Sequence, residues 1–315
     1  MPSRVAFLVL AHHQPRHVAR LAAALAHPDA RVFLHVDAKS DLAPFREALA
    51  GVDVSVLERP LPVFWGGFSI VAATLRLLEE AARAGDFARF CLLSDSDFPI
   101  RPAGEIVRRL LTSDREFLRV AESLASGGSR AAVEGRHFND VALLNPRRMT
   151  GGVWRRRARR VARSAVRVAN AVLPRRVFPA GLVPYKGSQW WCLTGPCVAH
   201  VRDFVRRNPE YVRFHRHVHC PDEIFFHSIV KASPFADRIS HDLDRPVDDG
   251  VRGVHYVVWK SGAPTVLRER DFPALATSSA LFARKFAEPR SDALRERITA
   301  ELLQAPSPAF ASPGV

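Results

Sequence analysis

The chain has 315 residues, 47% of them apolar, and a formal net charge of +14 with a pI near 10.8. That length and apolar content bury a large core and exclude a disordered or disulfide-stapled chain, while the charge predicts attraction to polyanions: nucleic acid, an anionic membrane surface or a phosphorylated substrate. No apolar stretch approaches the roughly 20 residues that span a bilayer, and the four cysteines, Cys91, Cys192, Cys197 and Cys220, show no CxxC spacing, so the expectation is a cytoplasmic protein with reduced thiols and no zinc finger.

Taken in order, Val5 to Leu10 is a near-continuous apolar run, a strand, and Pro15 to His27 carries Val18, Leu21, Ala22 and Leu25 at helical spacing. Val32 to Val36 is a second strand ending at Asp37, Leu42 to Leu49 a helix, and Val52 to Leu57 a third strand. Ser69 to Ala84 is an amphipathic helix entered through Gly66 and Gly67. Phe90 to Leu93 has no polar alternation, which predicts a strand buried on both faces, and a helix from Ala103 to Leu111 follows. This alternation predicts an α/β fold with a mostly parallel, doubly wound sheet and helices on both faces. Residues 1–300 are expected to form one domain, 1–120 and 121–300 being its two halves, with 301–315 a disordered tail.

Between strand and helix stand Ser94, Asp95, Ser96 and Asp97. Pro99 is expected to block ladder pairing and leave both carboxylates on a loop at the sheet's upper edge, where open α/β sheets bind ligands. On local grounds Asp97 is equally a turn residue ahead of Pro99.

After residue 120 the pattern changes. Ser126 to Ser129 is a Gly/Ser loop, and Asn145 to Arg176 is rich in arginine with no acid. From Trp154, the residues Ala158, Val161, Ala165, Val168 and Val172 keep helical spacing while Arg156, Arg159, Arg160, Arg163 and Arg167 fall elsewhere on the wheel. This basic amphipathic helix over 154–173 either packs its alanine and valine face on the core or meets an anionic surface. His215, His217 and His219 alternate beside Cys220, but Arg213 and Arg216 oppose a cation there. Pro221 with Asp222 and Glu223 fits a helix start, proline first and acids in the first turn.

Several stretches together resemble one family, the core-2/I-branching β-1,6-N-acetylglucosaminyltransferases and the related peptide O-xylosyltransferases. They are Leu10-Ala-His-His, His35-Val-Asp-Ala-Lys-Ser, Trp65-Gly-Gly-Phe-Ser, Leu92-Leu-Ser-Asp-Ser-Asp-Phe-Pro-Ile, Gly187-Ser-Gln-Trp-Trp, Pro221-Asp-Glu and Leu281-Phe-Ala-Arg-Lys-Phe, in the family's order. The resemblance implies a GT-A type glycosyltransferase fold and inverting transfer from a UDP-sugar. UDP-N-acetylglucosamine is the first choice and UDP-xylose the second, and the acceptor is a glycan, lipid-linked or peptide hydroxyl. By position, Ala11, His12, His13, Asp37, Ala38 and Lys39 would line the nucleotide, with Trp65 a further donor contact. Ser188, Gln189, Trp190 and Asp222 would meet the acceptor, Glu223 would be the catalytic base, and Lys285 beside Arg284 would hold the diphosphate in place of a metal. No cofactor is then expected.

Asp95-Ser-Asp97 departs from the family by forming a DxD-like pair, so Asp95 and Asp97 are the ligands if a metal is used; the metal-free reading leaves Asp95 dispensable. The family's further arginine has Lys260, Arg268 and Arg270 as candidates. The rival class, a basic nucleic-acid-binding protein using residues 147–176, has no recognisable nucleic-acid fold behind it, so specific binding is not expected. Peripheral contact with the inner face of a membrane is the expectation attached to the arginine-rich helix.

Overall fold

The computed structural model describes residues 4–125, 130–146, 152–243, 251–260 and 262–304. Strand β1 (Val5–Ala11) sends Val5, Phe7, Val9 and Ala11 into one core and Ala6 and Leu8 into the other, so its sequence has no polar alternation because neither face meets water. Helix α1 (Pro15–Ala24) returns over the first core with Val18 and Leu21, β2 (Ala30–Val36) pairs parallel to β1, and α2 (Ala43–Ala48) adds Phe45 to the same face. The expected third strand is shorter than its apolar run: only β3 (Ser55–Val56) pairs with β2. Helix α3 (Ser69–Ala84) covers the opposite face with Val71, Leu77 and Leu78 and leads into β4 (Arg89–Ser94), parallel to β1 on its other side. Each large apolar side chain of β1 and β4 removed from water contributes about 1.5–3 kcal/mol, which fixes this pair as the centre of the sheet.

Strand β5 (Asp97–Pro99) and helix α4 (Ala103–Thr112) follow. Here the expectation from sequence is corrected: Asp97 is not on a loop but fully buried in a strand, and Pro99 lies opposite Phe282 in an antiparallel ladder. Proline is tolerated because β5 is the edge strand of its small sheet. Next come β6 (Glu116–Ser123), α5 (Ala131–Glu134) and α6 (Val153–Val172). The Gly/Ser stretch 126–129 and residues 147–151 lie outside the described residues. Helix α6 spans the predicted segment but buries no residue, so its alanine and valine face does not pack on the core.

Strands β7 (Tyr185–Gly187) and β8 (Cys192–Thr194) lead to α7 (Gly195–Arg207) and α8 (Pro209–His215), which join the second core through Val198, Val201 and Tyr211. Pro221–Glu223 form one 3₁₀ turn rather than the first turn of a helix; α9 (Phe225–Lys231) starts after it. Strand β9 (Ile239–His241) pairs with β6. The chain closes with β10 (Val251–Arg252), β11 (His255–Val257), the hairpin of β12 (Trp259–Lys260) and β13 (Ala263–Pro264), then α10 (Phe272–Thr277), β14 (Phe282–Arg284) and α11 (Asp292–Ile298). One π-helical turn, Thr299–Leu303, carries structure past residue 300, and the remainder of the expected tail, 305–315, lies outside the described residues.

The main sheet runs β3-β2-β1-β4-β8-β6-β7 with β9 beside β6, parallel from β3 through β4 and antiparallel where β8 joins. Helices cover both faces, as predicted. Successive strands wind outward from β1 to β3 and then cross to β4 on the far side. The crevice between the carboxyl ends of β1 and β4 is therefore the topological switch point, where α/β sheets take their ligands.

Candidate active site

Three chain segments leave the sheet at this crevice. His12 and His13 follow β1, Asp37 follows β2, and Asp95 follows β4. Asp95 accepts hydrogen bonds from the backbone N–H of His12 at 2.8 Å and of His13 at 3.1 Å, and the same oxygen lies 2.9 and 2.8 Å from their Nδ1 atoms. Burial alone would raise its pKa, but these bonds hold the carboxyl well below the usual carboxylate range. In return the Asp95 bond raises the pKa of His12. The two imidazoles stack at 4.1 Å.

Asp37 and Lys39 act on protein. Asp37 accepts from the N–H of Lys39 at 2.9 Å and of Val63 at 3.2 Å, and the Lys39 ammonium bonds to Asp37 and to the Val63 carbonyl while lying 4.7 Å from the centre of the Phe64 ring. With the Ala38 N–H on the Leu61 carbonyl and the Leu61 N–H on His35 Nε2, they fasten the segment 61–64 beside the crevice.

Asp97 belongs to a different set of partners. It faces Arg284 across the β5–β14 ladder, with its Oδ1 3.1 Å from the guanidinium, accepts from the Ser94 N–H at 2.6 Å, and lies 3.7 Å from His255. Burial favours its neutral form, yet the Arg284 charge holds its pKa below the ordinary value. Arg284 in turn lies 4.2 Å from the centre of the Trp190 ring. The two acids of the DxD-like pair therefore serve different neighbours: Asp95 lies buried on the turn between β4 and β5, and Asp97 lies within β5. Among the described residues, His12, His13 and Asp95 form the group with ligand atoms close enough, within 4.8 Å, to share an ion. The fit is poor: the Asp95 oxygen involved already accepts two backbone N–H bonds, and the charge of Lys285 bears on His12.

Ala11, His12, His35, Asp37, Asp95, Arg284 and Lys285 line a small pocket of about 120 Å³, and Gln189, Trp190, Arg284 and Lys285 line both it and a neighbouring cleft of about 630 Å³. The cleft falls within the ~300–1,000 Å³ typical of small-molecule sites. On its walls are Trp65, Ser188, Gln189, Trp190, Asp222 and Glu223, so residues 10 to 285 meet around two neighbouring cavities. Trp190 and Trp191 both belong to the second core, Trp190 reaching the cleft with only 8% exposure. Glu223 Oε2 lies 3.3 Å from Lys186 Nζ. Beside it, Asp222 Oδ1 has no hydrogen-bond partner among the described residues, and burial followed by the Glu223 charge pushes its carboxyl up to about 7. Asp222 is thus a desolvated acid on the cleft wall.

The Trp65-Gly-Gly-Phe-Ser stretch has a mechanical explanation. Gly66 adopts φ +69°, and its carbonyl accepts from Asn139 at 2.7 Å and from the Cys220 N–H at 3.0 Å. A Cβ on Gly67 would fall 2.1 Å from Asp140 Oδ1, the carboxylate that accepts from the N–H of Phe68 and Ser69 and caps α3. Trp65, 40% exposed, is thereby held on the cleft wall rather than in the small pocket. Gly187 is equally constrained, a Cβ there falling 1.7 Å from the Arg119 carbonyl.

Sequence reasoning missed Lys186, Glu122, Arg252 and Trp259 on the cleft walls. Lys186 abuts the Gly187 motif, a usable signal, whereas Arg252 and Trp259 come from short strands with no spacing to read. Lys260, Arg268 and Arg270, the candidates for a further diphosphate arginine, line neither cavity, while Arg252 does. The histidine trio does not form a metal face: His215 is buried with Nδ1 on the Tyr211 carbonyl, and His219 pairs with Asn139.

Beside the switch-point pocket, the larger cleft brings Glu122, Asp222 and Glu223 together with Arg284 and Lys285. The chain matches the Core-2/I-Branching enzyme family over residues 5–275 and belongs to that family. It is 27% identical over 307 residues to xylosyltransferase 2 of Bos taurus and 28% over 306 to that of Homo sapiens, covering 90% of this chain but 32% of each relative. Xylosyltransferase 1 of Rattus norvegicus is 26% identical over 307 residues, covering 90% of this chain. The chain thus spans about a third of the length of these relatives, 32–34%. Among solved structures it is similar to the apo form of the glycosyltransferase GlyE of Streptococcus pneumoniae, at TM-score 0.34 and 9% identity over 96% of this chain and 60% of that one. The family match stops short of β14, so the parts given to Arg284 and Lys285 rest on their geometry.

Proposed function

We propose that this chain is an inverting, metal-independent glycosyltransferase that moves N-acetylglucosamine from UDP-N-acetylglucosamine to a hydroxyl of a glycan, lipid-linked or peptide acceptor. The observation that carries the reading is the cleft lined by Glu223 and also by Arg284 and Lys285, two residues that line the switch-point pocket as well. In a single displacement the acceptor oxygen attacks the anomeric carbon from the face opposite the leaving diphosphate. A carboxylate must take the acceptor proton, and fixed cations must meet the charge that develops on the diphosphate. Glu223, steadied by Lys186, suits the first role; Lys285, Arg284 and protonated His12 suit the second. Asp97 orients Arg284, whose guanidinium lies over the ring of Trp190 on the cleft wall.

Xylose is the second reading, favoured by the relatives' names. Release of UDP across a panel of UDP-sugars in the presence of candidate acceptors separates the two: turnover confined to UDP-N-acetylglucosamine supports the first, and turnover confined to UDP-xylose supports the second. No UDP release from any donor, by a protein that binds UDP, would overturn both.

A further inference from the structure

Helix α6 turns its apolar stripe away from the protein. At about 100° per residue, Trp154, Ala158, Val161, Ala165, Val168 and Val172 fall within an arc of about 80°. The large members of this arc are open to solvent: Trp154 is 79% exposed, Val161 69%, Val168 62% and Val172 74%. The helix is held to the body by its other side, through Arg159 on the Leu143 carbonyl at 2.9 Å and Asn170 paired with the backbone of Arg136 at 2.8 and 3.0 Å. Water therefore faces an apolar ridge that the fold has left uncovered, bordered by Arg155, Arg157 and Arg160.

Charge decides what can cover it. No acid occurs in the sequence between Asp140 and Asp203, so a second copy laid along the ridge would oppose arginine to arginine. The occupant must bring both apolar surface and negative charge. A 20-residue helix with arginines on its polar side, valines on the other and a tryptophan near one end has the composition of a helix that lies in a membrane interface, and none of the described helices is long and apolar enough to cross one. We propose that α6 docks this protein on an anionic lipid bilayer, the stripe entering the headgroup boundary and the flanking arginines meeting lipid phosphates. The segment that anchors α6 also reaches the active site, since Asn139, Asp140 and Asn145 bond to the Trp65–Ser69 stretch on the cleft wall. Docking through α6 thus places the surface next to the segment that shapes the cleft.

The test is sedimentation of the full chain with vesicles of phosphatidylcholine alone or mixed with phosphatidylglycerol, at low and high salt. Binding to the anionic vesicles, little to neutral ones, and release by salt are expected. Each cation near such a surface strengthens binding about fivefold, so changing Arg155, Arg157 and Arg160 together to Gln is expected to weaken it about 100-fold. Changing Val161 and Val168 to Ser is expected to weaken it about tenfold or more by removing the inserted surface. An unchanged thermal transition in both variants shows that the fold is retained. Failure to bind anionic vesicles overturns the proposal, as does equal binding to neutral ones. So does a loss confined to the arginine variant, which would mark simple electrostatic adsorption. Capture of DNA or heparin without vesicle binding, or a dimer abolished by the valine variant, would assign the helix to another partner and overturn it as well.

Discussion

Asp95 shows how far one residue can depart from its local reading. Its place in a DxD-like pair suggests a metal ligand, and the metal-free alternative leaves it dispensable; in the fold it is buried and ties the loop after β1 to the end of β4. Hydrogen bonds to a charged group contribute about 1.5–3 kcal/mol each. Asp95→Ser is therefore expected to loosen His12 and His13 and to weaken UDP binding about tenfold or more by titration calorimetry; an unchanged Kd would return Asp95 to a dispensable role. Because Asp95 raises the pKa of His12, the imidazolium persists to higher pH than an unpaired histidine would allow. UDP affinity is expected to be greatest when His12 is protonated and to fall as pH rises through that raised pKa, a dependence that His12→Gln should flatten. Lys285→Ala is expected to raise the UDP Kd and lower kcat together, since a cation on the diphosphate acts before and during departure. A change in kcat alone would move Lys285 away from the ground-state complex.

At the scale of elements, the first half was legible because its strands are buried on both faces. Val5 to Leu10 and Phe90 to Leu93 announce themselves as unbroken apolar runs, and the helices between them carry full turns of periodic residues. The second half resisted because β7, β8, β9 and β11 have three residues each, too few for alternation, and are fixed by long-range pairing. The same limit hid Asp140. Helix α3 has no side-chain cap of its own, and its first N–H groups are met by a carboxylate 71 and 72 residues away. Asp140→Ala is expected to cost about 1–2 kcal/mol, lowering the urea midpoint with an unchanged slope. Gly67→Ala should act at the same joint, because its Cβ would strike that carboxylate. Retention of wild-type stability in both would mean that the Asp140 contact carries no weight.

For the whole molecule, pH has a direction set by buried histidines. From an ordinary value of 6.5, burial lowers His17 to about 4, His215 to about 3 and His227 to about 4. The unfolded chain therefore binds protons that the folded chain refuses, so their contribution is fully present above pH 6.5 and is lost as pH falls toward the folded values. Within that window each histidine costs about 1.4 kcal/mol per pH unit. Asp222, raised to about 7 by burial, and His12, raised by Asp95, run the other way, while burial also lowers His35, His217 and His219. The melting temperature is expected to fall steeply from pH 7 to pH 5; a flat profile would mean that these histidines are charged or exposed in the fold.

The site was legible only in pieces: motifs scattered from Leu10 to Lys285 suggested which residues belong together, but their convergence depends on the β1–β4 crossover and on β14 pairing with β5, both long-range facts. On the proposed function, its chemistry turns on Glu223. The most direct measurement is the single-turnover rate of transfer in excess EDTA for wild type and Glu223→Gln, with UDP affinity determined for both. Wild type is expected to turn over without metal, and Glu223→Gln to bind UDP normally while reacting about 100- to 10,000-fold more slowly, the loss that follows removal of a positioned general base. A folded Glu223→Gln enzyme with a near-wild-type rate, or a wild type halted by EDTA and restored by manganese, would contradict the account.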